Sequence, residues 1–207
     1  MTSDAKPTRN RRSLAPGYFE KLYTKDEDPW HFATSAYEHS KYAETLEILK
    51  GRPLGTVFEV GCSIGILTKA LALNCDSVLA VDVSAIALSN AIHNCGADSN
   101  VTFTYMRIPA EWPAGSFDLI LLSEVLYYLG PADVRATAHK TSQSLSPTGR
   151  VLLVNWLGET DFPCGGDEAC DIFISAAKND LQVIKQRRNR DYRLDLLGLA
   201  SPQSVDA

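Results

Sequence analysis

The stretch Glu59-Val60-Gly61-Cys62-Ser63-Ile64-Gly65 decides the fold. It closes a short apolar, β-branched run, Thr56–Val60, set off by the breaker Gly51-Arg52-Pro53-Leu54-Gly55. It opens a stretch with apolar residues at Ile66, Leu67, Ala70, Leu71 and Leu73. That order specifies a buried strand, a tight turn and a helix. Gly61 and Gly65 let the backbone turn sharply and approach a ligand closely, since no Cβ intrudes. The N-terminus of the following helix offers unpaired N–H donors. In an open α/β sheet, ligands bind beyond the carboxyl ends of the strands, so the turn is a candidate binding site.

Outward from this turn the pattern keeps alternating. Ser77–Asp82 reads as a second strand, and Ser84 caps a helix over Ala85–Asn94. Val101–Met106 is a third strand, followed by a loop marked by Pro109, Pro113 and Gly115. Phe117–Leu122 is a fourth strand, apolar on both faces, and Pro131–Leu145 is a helix with Pro tolerated at its start. After the turn Pro147-Thr148-Gly149 comes a fifth strand, Val151–Val154, then a helix over Asp167–Lys178. Leu181–Gln186 and Tyr192–Leu197 are the last strands, with hairpin character at Asn189-Arg190-Asp191. Strands apolar on both faces and alternating with helices imply an α/β fold, a parallel sheet covered on both sides. The segment before residue 50 is aromatic and charged, and Tyr37, Lys41, Tyr42, Leu46 and Leu49 suit an amphipathic helix from about Ser35 to Leu49. The expected organisation is a disordered arm over 1–16, a helical extension or cap over 17–50, a single sheet domain over 51–199 and a disordered tail over 200–207.

Composition narrows the class. The 207 residues are 45% hydrophobic and 22% charged, an ordinary globular balance that excludes collagen, coiled coil and wholesale disorder. A net charge of -5 argues against a broad nucleic-acid footprint. No apolar run approaches the ~20 residues that span a bilayer, so no transmembrane segment is expected. The start of the chain carries Arg9, Arg11 and Arg12 but no apolar h-region, so it does not read as a secretory signal. Five cysteines, none in a C-x-x-C pair, fit a reducing, cytoplasmic setting. The four histidines show no ligand spacing, so no metal is expected. A small-molecule substrate and a monomer are the expected partner and state.

Two carboxylates point to the cofactor. Glu59, just before the turn, repels a pyrophosphate but pairs with an ammonium. Asp82, at the end of the second strand, sits where a carboxylate accepts both hydroxyls of a ribose. The glycine spacing is not G-x-G-x-x-G, which argues against a dinucleotide. The site provides for a ribose and a cation and makes no provision for phosphate, as S-adenosylmethionine requires.

E-V-G-C-S-I-G, the following A-V-D-V-S, and F-D-L-I-L-L-S-E-V-L-Y-Y-L resemble the motifs of the class I S-adenosylmethionine-dependent methyltransferases. From Tyr18 to about Leu199 the chain is similar in more detail to the nodulation protein S family, rhizobial N-methyltransferases. The specific part is Tyr18-Phe19-Glu20, Asp28-Pro29-Trp30, Tyr37-Glu38 and Lys41-Tyr42. The resemblance implies a Rossmann-like sheet with its last strand antiparallel. It also implies methylation of a de-N-acetylated chito-oligosaccharide in Nod-factor synthesis, with S-adenosyl-L-homocysteine as product.

Carried over position by position, Glu59, Gly61, Cys62, Ser63 and Gly65 lie at the methionine part, Asp82 at the ribose and Val83 at the adenine. Arg107 stands where an acid is usual, which leaves the adenine to the Ile108, Pro109 and Ala110 backbone or to Glu111. Ser123 and Trp30 are expected beside the cofactor, and Trp30 also as a staple or sugar contact. Glu124 is the candidate base, His31 the alternative, and Tyr127 and Tyr128 orient the amine or line the methyl path. Tyr37, Glu124, Tyr128, Asn155 and Trp156 are the candidate substrate residues. Glu38 and Lys41 read as a solvated helix face, and Arg187, Arg188, Arg190 and Arg193 as an exposed basic hairpin. A methyltransferase with another acceptor, a non-catalytic nucleotide-binding module and a nicotinamide enzyme remain alternatives.

Overall fold

A computed structural model describes residues 9–96 and 100–200. The apolar runs pair as one seven-stranded sheet in the order β3-β2-β1-β4-β5-β7-β6. These are β1 (Thr56–Val60), β2 (Ser77–Asp82), β3 (Val101–Tyr105), β4 (Phe117–Ser123), β5 (Leu145–Trp156), β6 (Leu181–Arg188) and β7 (Tyr192–Leu199). β1 to β5 pair in parallel, while β7 is antiparallel to both β5 and β6. The sheet thus has the reversed last strand that the resemblance implies. Residues 189–191 are too short to cross over, so β6 and β7 form a hairpin, and Asn189 Oδ1 accepts the Asp191 and Tyr192 N–H groups at 2.8 Å each. The hairpin makes β7 antiparallel to β6, and insertion of β7 between β5 and β6 makes it antiparallel to β5 as well.

The crossovers carry α3 (Ile66–Ala72), α4 (Ala85–Cys95), α5 (Pro131–Gln143) and α6 (Gly166–Ala177). Their apolar faces divide the core in two. Phe58, Ile120, Leu122, Leu153 and Phe173 pack on one side of the sheet. Val57, Leu71, Leu119, Leu121 and Leu152 pack on the other. Consecutive strand residues face opposite ways, so a strand buried on both sides must be apolar throughout. Strand order reverses between β1 and β4, which makes the end of β1 the switch point where a crevice opens.

Two helices precede the sheet, α1 (Pro16–Lys25) and α2 (Ala36–Leu49). Ser35 caps α2 by accepting the Glu38 N–H at 3.3 Å. The expected helical extension over 17–50 thus includes a first helix, α1, whose separate bounds the sequence reading does not give. Its signal was Pro16 at the first turn with Phe19 and Tyr23 four apart. The turn expected at 147–149 lies inside β5 as an irregularity, where register with β4 shifts between Phe117 and Leu119.

The expected disordered arm, 1–16, lies outside the described residues through 8. From residue 9 the chain is pinned by hydrogen bonds. Arg11 Nη2 donates to Glu168 at 2.6 Å, Leu14 N–H to the Tyr128 carbonyl at 2.9 Å, and Ser13 Oγ to Asp133. Of the expected tail, 201–207 lie outside the described residues, while Ala200 N–H bonds to the Asp180 carbonyl at 2.8 Å. The basic hairpin also needs correction. Arg193 is buried and ion-paired to Asp171 and Asp195 at 2.7 Å each, because β7 is an interior strand.

Candidate active site

The loop after β1 is built for close approach. Gly61 adopts φ +76°, and a Cβ there would collide with Val125 Cγ2. Its N–H and that of Cys62 both donate to the Val81 carbonyl, at 2.8 and 3.0 Å, which draws the loop over β2. Gly65, at φ +81°, serves another purpose. A Cβ there would press on Ala91 and on Cys95 Sγ at 3.0 and 3.1 Å, so its role is to let α3 meet α4.

Two carboxylates lie beneath this loop. Asp82 Oδ2 accepts the Ser63 N–H and Oδ1 the Ser84 N–H, each at 2.9 Å. Burial pushes its carboxyl up, and those N–H groups partly restore the charged form. Glu59 is buried, and its Oε2 has no well-formed hydrogen bond. Desolvation pushes its carboxyl up to about 7, while the neighbouring Thr68 hydroxyl partly favours its charged form. A buried acceptor without a donor is costly unless a ligand supplies one. Orphaned Glu59 Oε2 and the bare Gly61 turn therefore fit the ammonium and backbone-like end of S-adenosylmethionine.

Above these residues opens a cavity of about 1030 Å³. Ligand clefts span roughly 300–1,000 Å³, so this one has room for a cofactor and an acceptor together. The N-terminal segment forms one wall. Tyr23 shares a hydrogen bond with Ser63 Oγ, and Ser84 Oγ donates to Glu20 at 2.6 Å. Trp30 packs between Tyr23 and Phe32, with centroids at 5.7 and 5.6 Å. Val83, Ile108, Pro109 and Ala110 line the far end, with Arg107. Glu111 turns back to accept the Arg107 N–H at 2.7 Å, which leaves the 108–110 segment as the lining there.

Glu124 also lines the cavity, at the tip of β4 with φ +58°. Its N–H donates to the Val154 carbonyl at 2.8 Å. Oε2 accepts the Tyr127 hydroxyl at 2.6 Å and the Trp156 N–H at 3.1 Å. Oε1 accepts Lys41 Nζ at 2.7 Å. Tyr127 and Tyr128 form a single 3-10 turn with Leu126, and burial holds both phenols protonated.

The same cavity is lined by Glu59, Gly61, Cys62, Ser63, Asp82, Ser123 and Trp30 on the cofactor side, and by Glu124, Tyr127, Tyr128, Tyr37 and Trp156 on the acceptor side. Three expected site residues stand apart. Gly65 is a helix-packing residue, as above. His31 is exposed at φ +57°, its N–H bonding to Asp28 and its carbonyl accepting from Thr34 and Ser35. It shapes the turn into α2. Asn155 is fully buried, with Nδ2 against Cys170 Sγ at 3.3 Å. Trp156 follows it directly in the strand, so the two side chains face opposite ways and only Trp156 reaches the cavity.

Glu38 and Lys41 reverse the expectation of a solvated face: they are 8% and 1% exposed and line the cavity. The signal was present in their three-residue spacing between Tyr37 and Tyr42. The loop after β5 adds Glu159, Asp161 and Phe162, which sequence reasoning passed over. Among the described residues, no group of three His, Cys, Asp or Glu is placed to hold a metal. Nor is any helix there long and apolar enough to cross a membrane.

A mixed sheet with a glycine turn at its switch point, a buried Glu below it and a second acid closing the next strand defines a class I S-adenosylmethionine-dependent methyltransferase. Residues 19–191 match the family described as Nodulation protein S (NodS), and the chain belongs to that family. It is 35% identical to Nodulation protein S of Bradyrhizobium diazoefficiens over 163 residues, 78% of each chain. It is 30% identical to the protein of that name from Sinorhizobium fredii over 128 residues, 61% of this chain and 59% of that one. The crystal structure of N-methyltransferase NodS from Bradyrhizobium japonicum WM9 in complex with S-adenosyl-L-homocysteine aligns with a TM-score of 0.76 at 21% identity. That alignment covers 89% of this chain and 98% of the other.

Proposed function

We propose that the protein methylates the free amine on the terminal glucosamine of a de-N-acetylated chito-oligosaccharide, in Nod-factor synthesis. One observation carries the reading: a single cavity is lined both by the buried Glu59 carboxyl, whose Oε2 has no well-formed hydrogen bond, and by the anchored Glu124 carboxylate. When bound, S-adenosylmethionine supplies a methyl group already activated on a sulfonium. Glu59, the Gly61–Ser63 backbone, Asp82, Val83 and the 108–110 segment are the residues that would hold it.

The protein's own work is orientation and exclusion of water. An ionised carboxylate offers about four acceptor sites, and three donors already occupy Glu124. The remaining one accepts an N–H of the incoming amine, directs its lone pair and takes up the proton released on transfer. Tyr127 and Tyr128, held protonated by burial, act as hydrogen-bonding and packing groups rather than bases. Trp156 and Tyr37, 36% and 37% exposed at the mouth, offer flat apolar faces to the C–H surface of a sugar. The free thiols of Cys62, Cys75, Cys164 and Cys170 suit the cytoplasm.

The test is labelled-methyl transfer to de-N-acetylated chito-oligosaccharides, beside fully acetylated oligomers and a panel of unrelated amines. Label should appear only on oligomers with a free terminal amine. Equal labelling across the panel, or transfer to the acetylated oligomers, would refute the assignment.

A further inference from the structure

Glu124 does not reach its position alone. Lys41, on α2, is 1% exposed, and its Nζ lies 2.7 Å from Glu124 Oε1 and 2.8 Å from Glu38 Oε2. It also stands 5.2 Å from the centre of the Tyr37 ring. Two hydrogen bonds, to Glu38 Oε1 at 3.0 Å and to Glu124 Oε1 at 2.7 Å, turn the ammonium toward the two carboxylates. Burying an ion pair is a poor route to stability, because desolvation offsets the attraction. A buried lysine between two carboxylates that line the reaction cavity calls for a role in that cavity. Tyr127 and the Trp156 N–H hold Glu124 Oε2, and Lys41 is the side chain that holds Oε1, so the ammonium completes the restraint on the carboxylate.

We infer that Lys41 is a positioning residue of the transfer reaction: its ammonium, clamped between Glu38 and Glu124, holds Glu124 as an oriented anion facing the acceptor amine. This rests on the reading of Glu124 as the group that meets the amine. The charge balance gives the inference its sign. Two carboxylates and one ammonium leave a single negative charge, enough to draw in an ammonium substrate and still release its proton. Without Lys41, Glu38 and Glu124 face each other across a buried gap and share a proton, as paired carboxylates do. The excess negative charge also keeps the amine protonated.

The remaining titratable neighbours do not replace it. α2 contributes Tyr37, Tyr42 and Glu38, the 3-10 turn contributes Tyr127 and Tyr128, β5 contributes only the uncharged Trp156 amide, and Asp28 before α2 and Glu59 on β1 add further negative charge rather than a cation. The four phenols are pushed up, chiefly by burial, and stay neutral. Burial also pushes the Glu38 carboxyl up, and Lys41 pulls it back.

The experiment is the pH profile of kcat/KM for a de-N-acetylated chito-oligosaccharide, with S-adenosyl-L-homocysteine affinity measured alongside as a check on folding. Lys41→Met should keep that affinity and lose about tenfold or more in kcat/KM near neutrality. Its rate should recover as pH rises, with the acid limb displaced upward by about one unit or more. Lys41→Arg should return the limb to the wild-type position. A Lys41→Met profile parallel to wild type, lowered equally at every pH, overturns the inference, as does Lys41→Arg behaving like Lys41→Met. If Lys41→Met does not fold, Glu38→Gln carries the test: removing a like charge should move the limb to lower pH, and an unmoved limb is contrary. Glu124→Gln separates the two levels. A slow Glu124→Gln beside a parallel Lys41→Met removes the role of Lys41 alone. Glu124→Gln at the wild-type rate removes the reading of Glu124 and the inference with it.

Discussion

Glu59 stores a pH dependence that one substitution exposes. Its carboxyl titrates at about 7 in the fold and near ~4.3 in an unfolded chain. Between those values the folded protein binds more protons than the unfolded one, so stability falls as pH rises through that window and then levels off. Thermal unfolding of ligand-free protein should show this decline, and Glu59→Gln should flatten part of it. Binding of S-adenosyl-L-homocysteine should show the opposite trend, because its ammonium favours the ionised carboxylate. Affinity should rise as pH climbs through about 7, and at about pH 8 Glu59→Gln should weaken it by roughly 10- to 100-fold, the worth of a charged hydrogen bond. Calorimetric titration across pH checks both signs. Glu59 and Asp82 were legible because strand ends are fixed by local pattern. Lys41 was not, since its burial depends on Glu124, 83 positions away. Asn155 was misplaced because adjacent strand residues alternate, and only one of a neighbouring pair meets the cleft.

Among the elements, the turn after β1 is the most constrained. Gly61→Ala would put a Cβ against Val125 Cγ2 in a backbone conformation that disfavours side chains. It should destabilise the protein by about 1 kcal/mol or more and remove measurable affinity for S-adenosyl-L-homocysteine, because the Val125 segment bounds the same cavity. Chemical unfolding and titration read the two effects separately. Most strands and crossover helices are legible to within about two residues, since their apolar runs are bounded by Gly, Pro and capping Ser84, but β5 extends well beyond its expected Val151–Val154. The separate bounds of α1 are not legible. Its buried Tyr23 belongs to a small cluster with Ile64 and Ala87, and neither partner is near it in sequence. The turn expected at 147–149 is instead part of β5, where sheet pairing on both sides leaves only a register shift against β4.

For the whole molecule, two apolar layers on one sheet concentrate stability at its centre. Leu119, Ile120, Leu121 and Leu122 of β4 have no exposed surface, whereas β6 is an edge strand with Val183 and Ile184 at 42% and 56%. Amide exchange should be slowest in β4 and its neighbours and fastest in β6. Comparable protection in the two strands would contradict the layered core. The parallel part of the sheet follows from alternation and the reversed last strand from the resemblance, but the placement of β7 between β5 and β6 is seen only in the fold, because a hairpin does not say which of its strands joins the sheet. The N-terminal segment completes the cavity that the sheet begins, so fold and site are legible together only once the whole chain is assembled. The central claim is that this cavity binds a cationic nucleoside lacking phosphate. Titrating S-adenosyl-L-homocysteine into the folded protein should give saturable heat at one molecule per chain. No heat with that ligand, alongside binding of NADH, would contradict it.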